Sequence, residues 1–437
     1  MSHEIKTLFE PKSVVLVGAS DLGGEDVLYS NFFCSTVQNV SNYKGGKIHV
    51  IDFSGKLERS DKSIDKVRMG QDLAVVILPS KMLFKNVQKL LSRQVKVMVL
   101  IGEKIEDKQL VELSNIIKKK KLIMLGPDLT GVVNTANGLI AVPERDQISR
   151  GNVAIVSQDS CIGYGILNQA RLIGISKFVS VGDIFSIDNA EILSYLSQDK
   201  ETKVICFYID RVRDGRKLIQ AIREVVKEKP VIVLNGSAEQ SKIFEAAIRQ
   251  AGALQSHDVN EMLNMASGLA KQPPLRGERV AVVTNLAGQA KLFERYLLEE
   301  GLSLARPSED AIGKIKKKYR SVEATNFINL GATAKADVYK FVVEVLLSDE
   351  NLDGIAMINS IKPTLFKIED LQNIAEVAKK SREKPIVGVV KCAEDLELVR
   401  KVMSATELPI YDQLHEAARV LRVLRLRCKQ LENFQKK

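Results

Sequence analysis

The chain has no tryptophan, four histidines and five cysteines, and each scarcity removes a class of function. Cys34, Cys161, Cys206, Cys392 and Cys428 never fall at C-x-x-C spacing, so neither a zinc ribbon nor a disulfide framework is indicated, and free thiols are expected. No metal-ligand cluster is read from the sequence. Aromatic residues make up 5% of the chain and do not alternate with basic ones, which argues against an RNA-binding surface. No apolar run reaches the roughly 18 residues of a membrane span, and "MSHEIKTLFEPK" lacks a signal-peptide core. A cytoplasmic protein with no membrane association is expected.

What is present is a long chain, 437 residues and 45% hydrophobic, enough for roughly three domains. Its net charge of +10, from 64 Lys+Arg against 54 Asp+Glu, favours anionic partners without distinguishing a polyphosphate ligand from nucleic acid or an acidic protein. The densest basic runs, Lys118 to Lys121 and Lys314 to Arg320, read as solvated helix faces or ends rather than as a nucleic-acid patch.

Three stretches share one pattern: "KSVVLVGASDLGG" from Lys12, "GNVAIVSQDSCIG" from Gly151 and "GERVAVVTNLAGQA" from Gly277. Each is a Val-rich run, then a small polar turn, then a helical pattern. Strands buried on both faces read as continuous apolar runs, so each stretch opens an α/β domain. Further strands follow at βαβ spacing, at 47–52, 73–79, 95–101 and 122–127, then 178–182, 204–209 and 230–234, then 354–359 and 385–390. Doubly wound sheets are the expected fold, with ligands beyond the carboxyl ends of their strands. Linkers are expected at 143–150 and 271–278, where proline and charge break the pattern.

The turn "VGASDLGGEDV" brings Gly18, Ala19, Ser20, Gly23 and Gly24 between a strand and a helix. Glycine lets the backbone approach a phosphate, and a helix start offers free N–H groups. Asp52, at the end of the second strand, stands where a NAD-binding domain places its ribose acid, but the turn is not G-x-G-x-x-G. Lys56 and Arg59, just beyond it, suit an extra ribose phosphate.

"LFEPKSVVLVGAS", "DLAVVILP", "LGPDLTGVVNT", "GNVAIVSQDS", "KFVSVGD", "YIDRVRDGRKLI", "EKPVIVL" and "GERVAVVTN" resemble, in that order, the α subunits of NDP-forming acyl-CoA synthetases, relatives of the succinyl-CoA synthetase α subunit. The resemblance implies a Rossmann-like CoA-binding domain (1–145) followed by two flavodoxin-like ligase domains (150–270 and 276–437). It implies coenzyme A or acyl-CoA as ligand, held by Gly18, Ala19, Ser20, Gly23, Gly24, Asp52, Lys56 and Pro79. It also implies a separate ATP-grasp β subunit and a homo- or hetero-oligomer.

The family's phosphohistidine sits in an S-H-T-G loop after the strand matching "PVIVL"; here that loop is short and holds no histidine. The chain's four histidines are His3, His49, His257 and His415, and His257 follows the next helix rather than preceding it. The family's S-Q-S-G turn is matched by a turn carrying Asp159 and Ser160, a carboxylate where an anion should bind. Asp210 matches the glutamate that steadies the histidine. Ser160 and Cys161 lack a recognisable base, and "SQDSCIG" is not G-x-S-x-G, so no catalytic residue is assigned. The third domain also departs, with "NLAGQA" for G-G-P-G and "NFIN" for N-P-V-D. A non-catalytic CoA-binding paralogue, a pseudoenzyme with a binding or regulatory role, is the expected function. The alternatives are a working ligase α subunit with its β partner and, with Asp52 as its only support, a NAD-type oxidoreductase. The C-terminal stretch 417–434 is expected to be a docked amphipathic helix.

Overall fold

The computed structural model describes residues 2–120, 122–144, 148–170, 173–182, 186–237, 241–362, 364–380, 383–391, 398–399, 402, 404 and 406–436. Cys392, part of the first linker and part of the loop after Leu234 lie outside them. Two compact units divide at residues 259 and 260.

The first unit holds two sheets. Strands β1 (Ser13–Gly18), β2 (Lys47–Asp52), β3 (Leu73–Ile77), β4 (Val97–Ile101) and β5 (Ile123–Leu125) form a wholly parallel sheet in the order β2-β1-β3-β4-β5. Leu73 to Ile77 and Val97 to Ile101 are buried throughout, because helices cover both faces. The helix Ser80–Ser92 shows how: Leu83, Val87, Leu90 and Leu91 repeat at helical spacing and turn inward. The order reverses between β1 and β3, and the ends of these strands, Gly18 and Leu78–Pro79, flank the crevice where such sheets bind ligands.

The second sheet has the order β12-β11-β10-β8-β9-β6-β7, from β6 (Val132–Asn134), β7 (Leu139–Ala141), β8 (Arg150–Ser157), β9 (Ile175–Ser180), β10 (Val204–Ile209), β11 (Val231–Asn235) and β12 (Leu254–Ser256). Strands β8 to β12 are parallel and repeat the reversal, here between β8 and β10. The hairpin β6–β7 differs from the expectation that residues up to 145 belong with the first sheet. It pairs antiparallel with β9, Val132 opposite Val179, so a sheet crosses the expected boundary. Its strands are three residues long and apolar, too short for periodicity to assign; the pairing edge is supplied by β9.

The second unit carries the third sheet: β13 (Arg279–Thr284), β14 (Ser303–Leu304), β15 (Glu323–Ala324), β16 (Ile328–Asn329), β17 (Gly354–Ser360), β18 (Ile386–Lys391) and β19 (Ile410–Tyr411), in the order β15-β16-β13-β17-β18-β19 with β14 also beside β13. The C-terminal helix Leu414–Gln435 docks on it through Ala417, Ala418, Val420, Leu421 and Leu424, which join Val280, Val282, Phe293 and Leu297 in one core. Arg419 holds the helix laterally, bonding Glu261 at 2.7 Å and Glu300 at 3.2 Å. The helix Val259–Lys271 begins at the division between the units rather than ending the first. Both basic runs end helices, Lys118 to Lys120 in one last turn and Lys316 to Lys318 in another, where cations complement the dipole.

Candidate functional site

Gly18 ends β1 directly opposite Asp52 of β2, and its lack of a side chain is enforced: a Cβ there would lie 2.3 Å from the Phe33 ring. Gly23 and Gly24 are different in kind. Both are exposed with open space around them, and Gly24 has φ +61°, which favours glycine. The helix Val27–Val40 follows with no side-chain cap on its first N–H groups. Pro79 is buried at the start of the helix Ser80–Ser92, also uncapped. Two helix starts without a side-chain cap therefore flank the glycine turn at the β1/β3 crevice, which suits a phosphate-bearing ligand, although the Val27 N–H is already taken by the Gly24 carbonyl. Glu25 and Asp26 oppose this; Asp26 is countered by an ion pair with Lys81.

Asp52 is turned inward. It is fully buried, and its carboxylate accepts from Ser20 N (2.8 Å), Ser20 Oγ (2.7 Å), Ser54 N (3.1 Å), Lys56 N (2.9 Å) and Leu57 N (3.0 Å). Burial alone would raise its pKa, but the hydrogen bonds from Leu57, Ser20 and Ser54 hold it below the ordinary carboxylate value. Asp52 thus orders the turn, because the chain returns after it and aims three N–H groups back at its carboxylate. Asp21 and Ser54 bond reciprocally, and Lys56 pairs its exposed ammonium with Asp21. Ala19 is buried beneath the same turn.

The second crevice lies at the reversal between β8 and β10. It is a cleft of about 380 Å³ lined by Lys104, Asp128, Gln158, Asp159, Gly182, Asp210, Arg211, Val212 and Arg213. Gln158 ties its two strand ends: Oε1 accepts from the N–H groups of Asp210 and Arg211, both at 2.7 Å, and Nε2 donates to the Arg211 carbonyl at 2.7 Å. Asp159 caps the helix Ser160–Ala170, its Oδ1 accepting from Ile162 N at 2.7 Å. Ser160 donates to Asp128 at 2.5 Å, and Thr130 donates to the Ser160 carbonyl at 2.8 Å. The turn between β8 and the helix Ser160–Ala170 is thus a capped helix start bounded by the carboxylates of Asp128, Asp159 and Asp210, with cations from Lys104, Arg211 and Arg213.

Ser160 has a carboxylate rather than an imidazole beside it, and Cys161 is exposed. No histidine lines the cleft among the described residues. His257 follows β12 at the outer edge of the sheet, and His49 lies on the edge strand β2, bonded to Asp61 at 2.8 Å. His415 packs against Tyr296 in the second unit, and the side chain of His3 lies outside the described residues. Removing the Asp159 cap, as Asp159→Ala, should cost about 1 kcal/mol, read from urea unfolding. A loss above about 2 kcal/mol would mean that the carboxylate has a further partner.

Asp128 and Lys104 were not singled out from sequence, although "LGPDLTG" was. Asp128 reaches the cleft because the loop before β6 passes the end of β9, where a Cβ on Gly182 would lie 2.8 Å from the Pro127 carbonyl, and Lys104 comes from the segment after β4, whose Gly102 carbonyl accepts from Asp128 N at 2.8 Å. In the third sheet, Asn285 of "NLAGQA" joins the ends of β13 and β17, donating to the Ser360 carbonyl and accepting from Ser360 N, both at 2.9 Å. In "NFIN", Asn329 bonds Glu323 at 3.0 Å. Both departures from the family pattern are satisfied within the domain.

The strand order of the second sheet defines an α/β unit of flavodoxin type, and residues 150–269 match the family model described as succinyl-CoA ligase like flavodoxin domain. Over nearly its whole length the chain is similar to the α subunits of ADP-forming acetate–CoA ligases: it is 28% identical to the subunit alpha of acetate–CoA ligase [ADP-forming] II from Pyrococcus furiosus, over 94% of this chain and 95% of that one. A solved structure from Pyrococcus horikoshii superimposes with a TM-score of 0.85 at 28% identity, covering 98% of this chain and 99% of that one. The dinucleotide-forming acetyl-coenzyme A synthetase 1 of Candidatus Korarchaeum cryptofilum, solved with phosphate and ADP, shares the fold with a TM-score of 0.85 at 22% identity, over 100% and 99% of the two chains. The α/β architecture, a Rossmann-like parallel sheet with flavodoxin-like sheets, is thus common to all.

Proposed function

We propose that this chain is the CoA-binding, α-type subunit of an ADP-forming acyl-CoA ligase assembly, acting with a separate ATP-grasp subunit. The observation that carries the reading is the first crevice: an open Gly23–Gly24 turn between two uncapped helix starts, at the carboxyl ends of β1 and β3. Gly18, Ala19, Ser20, Gly23, Gly24 and Pro79 would surround the ligand's phosphates, and Lys56 would approach from the rim. Asp52 would act only through Ser20. Bound CoA supplies the thiol that carries the acyl group; the chain supplies backbone donors and a rigid turn.

The finer reading is that this subunit does not relay phosphate on a histidine and has a binding or regulatory role. The capped helix start at Asp159 and a cleft lining without histidine support it. Full-length likeness to a named ligase α subunit supports the working alternative. A three-domain division, with the first boundary drawn before the β6–β7 hairpin, and a cytoplasmic location accompany both readings. Among the described residues no helix is long and apolar enough to cross a membrane.

Titration with CoA, acetyl-CoA and NAD, followed by thermal unfolding, tests the site. CoA at a hundredfold excess over Kd should stabilise the protein by about 2.7 kcal/mol. Gly23→Glu should abolish that gain and leave the unliganded protein unchanged, because among the described residues nothing beyond its chain neighbours lies within 4 Å of a Cβ there. No shift with millimolar CoA or acyl-CoA would overturn the reading, and a shift with NAD alone would revive the oxidoreductase.

A further inference from the structure

A second, larger cleft adjoins the Asp159 cleft and shares its wall from Asp210 to Arg213. It measures about 1390 Å³ and runs between the helices Gly215–Val225 and Ser241–Gln250. The first helix has two distinct faces. Leu218, Ile222 and Val225 are buried, whereas Arg216, Ile219, Gln220 and Arg223, spaced i, i+3, i+4 and i+7, line the cleft. The facing helix contributes Ile243, Phe244 and Ala247. Arg213, Arg216 and Arg223 are exposed and have no ion-pair partner among the described residues. The cleft's two carboxylates, Asp210 and Asp214, both lie at its strand-end mouth, and Asp214 is used to cap the first helix through Lys217 N at 3.0 Å.

Two features select the kind of occupant. The volume exceeds the roughly 300–1,000 Å³ of small-molecule pockets. In addition, Ile243 is 82% exposed and Val212 37% exposed at the rim, where a ligand confined to the cleft would leave them wet. Arg216 and Arg223 stand about 10 Å apart along the helix axis, two turns at 1.5 Å per residue. We infer that this groove docks an acidic amphipathic helix of a partner protein. Its apolar stripe would seat on Ile219, Ile243, Phe244 and Val212, and carboxylates two turns apart would meet Arg216 and Arg223. Docking there would bring the partner to the Asp210–Arg213 wall of the smaller cleft. The inference does not depend on CoA binding.

The test uses the full chain and a synthetic helical peptide of about 18 residues, long enough to overrun the groove, with leucines along one face and glutamates two turns apart beside them. Binding is followed by fluorescence anisotropy. The peptide should bind with an affinity that falls as salt rises, and a scrambled peptide of equal composition should bind at least tenfold more weakly. The double variant Arg216→Glu/Arg223→Glu should weaken binding at least tenfold and recover it with a lysine-for-glutamate peptide. Both sites are exposed, so circular dichroism and thermal unfolding should match the wild type. Ile243→Asp should weaken the glutamate peptide too. Unchanged binding by the double variant, equal binding of the scrambled peptide, or full displacement by equimolar inorganic tripolyphosphate would overturn the inference; the last would make the groove a small-polyanion site.

Discussion

Asp52→Ala should lower folding stability by about 3 kcal/mol or more, the largest stability effect expected from any residue of the first crevice. Five donors converge on that one buried carboxylate. A hydrogen bond to a charged acceptor contributes about 1.5–3 kcal/mol, and deleting the acceptor also leaves buried N–H groups unsatisfied. The sum is not additive, since the turn can relax toward water once the carboxylate is gone. Asp52→Asn keeps the shape but turns an NH₂ group toward N–H donors, so it should be nearly as damaging.

The same geometry fixes a pH dependence. The folded pKa of Asp52 lies below its ordinary value of 3.8, so its contribution is fully present above the unfolded pKa and is lost as pH falls through the folded one. Urea midpoints measured from pH 6 down to pH 2 should therefore decline on the acid side, and Asp52→Asn should flatten part of that decline. A loss under about 1 kcal/mol for Asp52→Ala would mean that the turn is not held by this carboxylate, and Asp52 would again be open to a ligand. Because Ser20 is bonded to Asp52 through both N and Oγ, the variant should also weaken CoA-dependent stabilisation, without Asp52 touching CoA.

The second large effect is an absence of chemistry. Incubated with acetyl phosphate and CoA, and then with ATP and an ATP-grasp subunit, the chain should acquire no acid-labile phosphate on histidine. A relay needs an imidazole that reaches an anion site, and the residues lining the Asp159 cleft include none. It also needs helix N–H groups free to meet the phosphate, and Asp159 already accepts from Ile162 N. A phosphate brought within about 4 Å of that carboxylate would be repelled by roughly 4 kcal/mol at an effective dielectric of 20, nearly three decades in affinity. Asp159→Gly should therefore not restore turnover, since the missing group is the nucleophile. Phosphate found on His257 by mass spectrometry, or CoA-dependent ATP turnover with a partner, would establish the working α subunit instead.

Several features were legible from the residues alone because their cause is local. The Val-rich runs at 14–17, 153–156 and 280–283 are strands buried on both faces, and burial on both faces leaves no polar position to blur the signal. Asp159 could be read as a cap because capping acts across three residues of one turn. The ordered blocks that mark the acyl-CoA ligase likeness were equally readable, and the full-length relative agrees with them.

Other features depend on where the chain returns. Asp52 looked like a ribose ligand because its position at a strand end is a local fact, whereas its five donors come from Ser20 and from a loop that folds back after it. Asn134 and Val132 belong to the second sheet only because β9 offers an antiparallel edge; three-residue strands carry too little burial to declare themselves. The Arg216–Arg223 stripe is written in the spacing of one helix, but that it faces Ile243 and Phe244 is decided by β10 and β11 lying side by side in the sheet. The sequence by itself determined the strands, the caps and the helix faces, whose energies come from neighbours within a turn or two. Tertiary structure decided which carboxylates are used internally and which cations remain exposed, because hydrogen bonding and desolvation depend on groups brought from distant parts of the chain.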